Sequence, residues 1–362
     1  MFIGVDIQGR SLPRSGLHVL ARTSLRRDGP SVHAALFPCS SRPPLETYQP
    51  AGSGTVHRVA LQSGGESARN RTPSTSPRYG PVMTRIRATK FVDVNGGRIA
   101  YDESGAGPAV VFVHEAIADR RMWDRDFDRL ATSHHVIRYD QRGFGKSPEA
   151  KSNFSPVQDL RWVLEKAGTT RTAIIGASMG GRLAIEFAVN YPGLTSGLLL
   201  IAPGPPSGLD TTMLPEAAKE FEDDERVSKA MAQAWSDKRV DDAIELVRQR
   251  WCSALQGSAL ELFRRMVRAN GPEIFEERSF RFARDEPEPA VPRLSAIRVP
   301  VEIVLGDRDA PLQKHFVNFV AKRIPNSHIE IVPGGDHMPN LSRPEAFDLI
   351  VDKFLSRPGI VR

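Results

Sequence analysis

Cysteine is scarce in this sequence, and its scarcity argues against two kinds of structure. Cys39 and Cys252 are the only two cysteines among 362 residues, so neither a disulfide framework nor a cysteine-rich metal site is expected. The metal-binding pattern HExxH is absent too, because alanine occupies position 118, four residues after His114. We therefore expect no metal, and we expect a reducing compartment, the cytoplasm, as the location.

Long apolar runs and a basic folded surface are also lacking. The longest apolar runs are strand-sized, such as GLLLIAP at 197–203, whereas a membrane span needs roughly 20 residues. The net charge of +6 lies within residues 1–82, which contain ten arginines, four acidic residues and no lysine. From residue 83 onward, basic and acidic residues are equal in number. We expect neither a membrane nor a nucleic acid as a partner.

Residues 1–82 differ in amino-acid composition from the rest of the chain. They are rich in arginine, serine, proline and glycine and show no sustained periodicity, which predicts a disordered extension. Three explanations remain open at this point: a start codon placed too far upstream of Met83, an organellar targeting segment, or a regulatory tail. No apolar secretion signal with a small-residue cleavage site is present.

From Met83 onward, strands alternate with helices. Asn95-Gly96 between two alternating segments predicts a β-hairpin, and the later strands are continuous apolar runs typical of a buried parallel sheet. The sequence therefore predicts an α/β fold with a doubly wound, mostly parallel sheet. The expected strands are RATKFVDV, RIAYDESG, AVVFVH, HHVIRYD, TAIIGA, SGLLLIAP, VEIVLG and SHIEIVP.

The alternation is interrupted after the sixth strand, at Pro203. Residues 204–295 are nearly all compatible with helix, which predicts a helical cap over the carboxyl ends of the strands, where such sheets bind ligands. The predicted organisation is an extension at 1–82, a core formed by 83–203 and 296–362, and a cap at 204–295.

The segment IIGASMGG contains the pattern G-x-S-x-G between a strand and a helix. In that context the pattern predicts a tight turn that presents Ser178 as a nucleophile above the sheet. The alternative is a glycine-rich turn whose serine only caps the helix. A serine nucleophile needs a base, and among nine histidines His337 is best placed, in the loop between the last strand and the last helix.

The base in turn needs a carboxylate to orient it. Asp307 and Asp309 both follow the strand VEIVLG. We favour Asp309, which lies farther into the loop, and expect Asp307 to bind backbone at the turn. Asp210, in the loop after the sixth strand, is a third candidate.

The order Ser178, Asp309, His337 resembles that of the α/β-hydrolase superfamily. The segments VIRYDQRGFGKS, IIGASMGG, PVEIVLGDRDAP and GGDHMPNLSRPEAF match that family in order, so the resemblance covers residues 84–358. It implies the α/β-hydrolase fold, with Ser178 as nucleophile, Asp309 as acid and His337 as base. A serine at the elbow argues against the haloalkane-dehalogenase branch, which carries aspartate there.

The resemblance also implies an oxyanion hole made by two backbone N–H groups. Met179, after the nucleophile, supplies the first, and Ala116 supplies the second, with Glu115 as the alternative. Relatives commonly carry His-Gly where this chain has His114-Glu115. Glu115 therefore either points outward or alters activity, since a carboxylate would oppose an oxyanion. We take His114, Glu115 and Trp123 as substrate-binding candidates; Trp123 alternatively packs beneath the site.

Together these features predict a cofactor-independent serine hydrolase that cleaves a small ester or lactone through an acyl-enzyme. C–C bond hydrolysis or perhydrolysis on the same fold, and a non-catalytic protein that binds a small molecule, are the alternatives. The sequence does not indicate an oligomeric state.

Overall fold

The computed structural model describes residues 88–360, which form one eight-stranded sheet flanked by helices. The expectations for residues 1–82 lie outside the described residues. The strands are β1 (Lys90–Val94), β2 (Gly97–Ser104), β3 (Ala109–Val113), β4 (His135–Tyr139), β5 (Thr172–Ala177), β6 (Thr195–Ile201), β7 (Val301–Gly306) and β8 (Ser327–Val332). The predicted doubly wound α/β fold is confirmed.

The predicted hairpin joins β1 and β2. The two strands pair antiparallel, with Val94 opposite Gly97, so Asn95 and Gly96 form the two-residue turn. Gly96 has φ +74°, a backbone conformation that glycine adopts without a steric penalty and that such hairpin turns require.

The strand order brings the important loops to one edge of the sheet. The order is β1-β2-β4-β3-β5-β6-β7-β8. The six strands β3 to β8 run parallel to one another. Parallel strands end at the same edge, and β3 has β4 on one side and β5 on the other, which is the switch point where such sheets bind ligands. The loops that follow β3, β5, β7 and β8 therefore meet at this edge.

The helices cover both faces of the sheet and explain why its central strands are buried throughout and mostly apolar. Every residue of β5, β6 and β7 is buried, as expected for strands packed between two helical layers. The helices are α1 (Asp124–Leu130), α2 (Pro156–Lys166), α3 (Met179–Asn190), α4 (Ala218–Ser236), α5 (Val240–Trp251), α6 (Gly257–Glu276), α7 (Pro311–Ala321), α8 (Pro339–Ser342) and α9 (Pro344–Leu355).

Helices α4, α5 and α6 lie between β6 and β7 in the chain, where the sequence predicts helix. Their packing face is apolar and includes Ile244, Val247 and Phe263, each at most 3% exposed. We name α4–α6 the inserted helices. Their delimitation as a cap at 204–295 stays a prediction. No helix within residues 88–360 is long and apolar enough to cross a bilayer.

Candidate active site

Ser178 occupies a strained turn between β5 and α3. Its φ of 47° and ψ of −110° lie in a region that costs a residue with a side chain about 1–3 kcal/mol. The backbone holds this conformation, since the Ser178 N–H donates to the Ile201 carbonyl at 2.8 Å and its carbonyl accepts from Arg182 and Gly204, both at 2.9 Å. Strain of this kind is typical of a functional position.

The glycines that flank the turn are there because nothing larger fits. A Cβ at Gly176 would lie 2.3 Å from the Gly180 carbonyl oxygen, and a Cβ at Gly180 would lie 2.3 Å from the Val113 carbonyl oxygen. The second contact places the start of α3 directly against the end of β3. The Ser178 turn and the loop that begins with His114 are therefore neighbours.

Gly180→Ala tests this close packing. We expect the substitution to lower the free energy of unfolding by about 1–3 kcal/mol, because the new methyl group forces the backbone of β3 and α3 apart. Chemical denaturation measures the change. Gly193→Ala is the matched control, since a Cβ there meets nothing within 4 Å; equal losses in both variants would contradict the account of the turn.

His337 and Asp309 meet in the loops after β8 and β7. Nδ1 of His337 lies 2.9 Å and 3.0 Å from the two carboxylate oxygens of Asp309, and both side chains are buried. A carboxylate only accepts, so Nδ1 carries the proton and donates it. Nε2 is left as the basic nitrogen, which is the tautomer that a general base requires.

The two other candidate carboxylates lie elsewhere. Asp307 accepts the Gly334 N–H at 2.7 Å, as expected for a residue that fixes the turn. Asp210 is exposed and accepts the Thr212 N–H at 2.7 Å at the start of a short helix. Of the three, Asp309 is the carboxylate that contacts His337.

Glu115 points inward, which excludes the outward orientation and leaves altered activity as the remaining alternative. Its side chain is 0% exposed, and Oε2 lies 3.5 Å from Nε2 of His337. Glu115 is absent from the residues with positive φ, so the loop does not need the glycine that relatives carry. The physical reason for the inward orientation is that His114 and the following turn fix the backbone, which directs the carboxyl group toward the His337 loop.

The pKa values of Glu115 and His337 both lie above their ordinary values, for different reasons. Burial raises the pKa of Glu115 to about 8; the nearby His337 opposes this rise, while the carboxylates of Asp309 and Asp336 add to it. Burial opposes charge on His337, but the carboxylates of Asp309 and Glu115 outweigh it and raise the pKa of the imidazole to about 9. The imidazole thus has a carboxyl group beside each of its nitrogens.

His114 fixes the backbone of the loop after β3. Its Nε2 accepts the Gln141 N–H at 2.9 Å, its Nδ1 donates to the Glu115 carbonyl at 2.8 Å, and its ring packs edge-on against Phe144 at 5.0 Å. Burial lowers the pKa of His114 to about 4, which keeps it neutral. With both nitrogens bonded to backbone, His114 braces the loop; its contact with substrate stays a prediction.

The two expected oxyanion donors lie in the turn after β5 and in the loop after β3, and their role stays a prediction. Met179 is the first residue of α3, and its N–H has no acceptor within the helix. Ala116 is half-buried in a turn closed by the Ala118 N–H, which lies 3.4 Å from the Glu115 carbonyl oxygen. Met179 also packs against the apolar cluster that contains Met338 and Cys252. The proximity of the Ser178 turn to the His337 loop follows from the sheet topology, since β5 and β8 end at the same edge.

Trp123 packs in the core between β3 and α9. It is 0% exposed and stacks on Phe112, with ring centroids 4.8 Å apart, and it approaches Phe347 at 6.5 Å. The packing role considered from the sequence accounts for these contacts. A direct contact of Trp123 with substrate stays a prediction.

The sequence did not mark the connection between the inserted helices and the His337 loop. The His337 N–H donates to the Trp251 carbonyl at 3.0 Å, and the Asp336 carboxylate accepts the N–H of Ala254 at 2.9 Å and that of Met338 at 3.1 Å. The adjacent Cys252 thiol is buried, and burial raises its pKa well above the usual value. Asp336, the acidic residue directly before His337, was the sequence feature that could have indicated this connection.

Comparison with known proteins identifies the family. A sequence profile described as the alpha/beta hydrolase family matches residues 110–348, which is more than half of the chain. The chain belongs to the α/β hydrolase family. Among residues 88–360, no group of three or more His, Cys, Asp or Glu side chains is placed to hold a metal ion.

Individual relatives show the range of the family. The chain is 28% identical over 277 residues to a putative 2-succinyl-6-hydroxy-2,4-cyclohexadiene-1-carboxylate synthase of Bacillus subtilis, covering 72% of this chain and 96% of that protein. A thermophilic esterase from Thermogutta terrifontis has a TM-score of 0.60 and 22% identity, covering 74% of this chain and 98% of the esterase. An enol-lactonase from Burkholderia xenovorans LB400 has a TM-score of 0.57 and 19% identity, covering 74% of this chain and 100% of the lactonase. At these identities the two structures show a shared fold.

Proposed function

We propose that the protein is a cofactor-independent serine hydrolase that cleaves a small carboxylic ester or lactone through an acyl-enzyme. The observation that carries this proposal is the His337–Asp309 pair, buried at the sheet edge where Ser178 occupies its strained turn. Family membership makes hydrolysis the expected chemistry, and the esterase and enol-lactonase of the same fold suggest the substrate class.

In the proposed reaction, Nε2 of His337 removes the proton from the Ser178 hydroxyl as its oxygen attacks the substrate carbonyl. Asp309 holds the imidazole by Nδ1 and stabilises its charged form. The N–H groups of Met179 and Ala116 donate to the oxyanion, the arrangement that contributes most to acyl transfer. The imidazolium then protonates the leaving alcohol, and water releases the acid in a second passage through the same steps.

A graded substrate panel tests the proposal. Short p-nitrophenyl esters, aliphatic lactones and a β-diketone should be incubated with the full-length protein, and we expect ester or lactone turnover with a burst of p-nitrophenol that matches the enzyme concentration. Turnover of the diketone alone would favour the C–C hydrolase, and oxidation products formed only with added peroxide would favour the perhydrolase.

A non-catalytic binding protein is the alternative that one observation favours. Glu115 lies 3.5 Å from the base nitrogen of His337, and a carboxylate there holds the imidazole in its charged form, which cannot accept a proton. Tight binding of a small ester without product, across all acyl lengths and at every pH tested, would support the binder.

The same contact predicts the pH dependence of hydrolysis. His337 must be neutral to act as a base, so activity should be lost as the pH falls through its raised pKa of about 9. Glu115→Gln removes one of the carboxylates that favour the charged imidazole, so we expect the acid limb of the kcat/KM profile to move down by about one pH unit. A profile unchanged by the substitution, or one moved upward, would contradict this coupling.

A further inference from the structure

Glu115 lies 3.5 Å from His337 but accepts no hydrogen bond from it or from any other described residue. Its side chain is 0% exposed, and within the described part of the chain neither Oε1 nor Oε2 accepts a hydrogen bond. Buried polar groups are nearly always bonded, and leaving one unbonded destabilises the folded protein. Because the unbonded carboxyl group of Glu115 lies beside the base His337, we look for a hydrogen-bond donor that arrives during the reaction.

The position of the carboxyl group identifies that donor. Asp309 holds Nδ1 of His337 at 2.9 Å, so Nε2 is the nitrogen that exchanges protons, and Oε2 of Glu115 lies 3.5 Å from it. Two acceptors at that separation are both satisfied by one oxygen that carries two protons. Water has two such protons, whereas an alcohol has one.

We propose that Glu115 holds the water that attacks the acyl-enzyme and thereby makes the site favour hydrolysis over acyl transfer to alcohols. The inference rests on the proposed function, since it requires an acyl group on Ser178. Water donates one O–H to Nε2 and the other to Oε2, and its oxygen then faces the ester carbon.

The chemical step balances within these groups. A bond forms between the water oxygen and the acyl carbon while the first water proton passes to Nε2 of His337. The bond between that carbon and Oγ of Ser178 then breaks, and the proton on Nε2 passes to Oγ. The second water proton stays on the acid that leaves, and Glu115 ends the step in the protonation state in which it began.

The role does not depend on the charge of Glu115. An ionised carboxylate and a neutral carboxylic acid both keep an oxygen that accepts a hydrogen bond. Burial raises the pKa of the group to about 8, so the acid and the ionised form both occur between about pH 7 and 9, and both provide the acceptor.

Two substitutions separate hydrogen bonding from shape. Glu115→Gln keeps an acceptor oxygen at the same place, whereas Glu115→Met keeps the length of the side chain and offers only a weak sulfur acceptor. Because the carboxyl oxygens of Glu115 have no protein donor, replacing the group with an apolar one is not expected to unfold the protein. Glu115→Ala serves as a second variant without the acceptor if the methionine variant folds poorly.

The test is the partition of the acyl-enzyme between water and methanol. The full-length protein and each variant turn over p-nitrophenyl acetate in buffer with methanol, at a concentration that leaves the unfolding temperature unchanged, and acetic acid and methyl acetate are quantified. The product ratio belongs to the acyl-enzyme alone, so it does not change with the acylation rate or with the fraction of active protein.

We expect the ratio of methyl acetate to acetic acid to rise about fivefold in Glu115→Met, the size expected when one ordinary hydrogen bond is lost. In Glu115→Gln it should stay within about twofold of the unmodified protein, because the amide oxygen still accepts. Turnover with an unchanged ratio in both Glu115→Met and Glu115→Ala would overturn this role and leave the proposed function intact. Failure of the unmodified protein to form acetyl-Ser178, judged by intact mass, would overturn both.

Discussion

Ser178→Ala is expected to lower kcat/KM for the best ester of the panel by about 10⁴-fold or more, because the attacking oxygen is lost and only binding and oxyanion stabilisation remain. Initial rates of p-nitrophenol release from freshly purified protein measure the change. The unfolding temperature should not fall, because the turn is held by backbone hydrogen bonds of Ser178 that do not involve its side chain.

Ser196→Ala is the matched control for that result. Ser196 lies buried in β6, and its hydroxyl has no partner among the described residues, so its loss should leave turnover within about twofold of the unmodified protein. A Ser178→Ala variant that retains more than a tenth of the turnover would remove Ser178 from the reaction, whatever the control does.

Asp309→Asn is expected to lower kcat by about 10⁴-fold with little change in KM, because the amide no longer selects the tautomer with the proton on Nδ1. The amide is close in size to the carboxylate, so the fold should persist. Steady-state kinetics on the same ester, with the unfolding temperature as a check, give the answer.

Asp307→Asn is the control for this second prediction, since it lies two residues away and bonds the Gly334 N–H instead of His337. We expect it to keep most of the activity. Equal losses in the two variants would mean that the loop after β7 matters for folding and not for the orientation of His337.

Much of this fold follows from the sequence because a single physical constraint acts at each place. Gly96 satisfies the positive φ of a two-residue turn, and strands β5–β7 are mostly apolar because both faces are covered. Gly176 and Gly180 leave no space for a side chain. Each of these features depends on residues close together in the chain, so the local sequence pattern predicts it.

The choice between Asp307 and Asp309 was harder to predict from sequence, because both follow β7. In the structure, the turn after β7 directs the side chains of Asp307 and Asp309 to different partners. Asp307 remains at the strand end, where the Gly334 N–H lies, and Asp309 reaches the imidazole of His337. The expectation that the residue farther into the loop contacts His337 agrees with this geometry.

The orientation of Glu115 could not be predicted from the local sequence. A carboxylate in a loop is usually solvated, and the residues that surround this one come from distant parts of the chain. His337 lies beside its Oε2, and the segment from Trp251 to Ala254 is bonded to the His337 loop through backbone and Asp336. These long-range contacts leave no periodic trace in the sequence.

Labelling with a fluorophosphonate probe tests the central proposal most directly, because the probe phosphonylates a serine only when a neighbouring base activates it. We expect one adduct per chain by intact mass, located on the peptide that contains Ser178 and absent from Ser178→Ala. Labelling should be slower in Asp309→Asn and equal to that of the unmodified protein in Ser196→Ala. No adduct on the unmodified protein, or one that persists in Ser178→Ala, would contradict the assignment of Ser178 as the nucleophile.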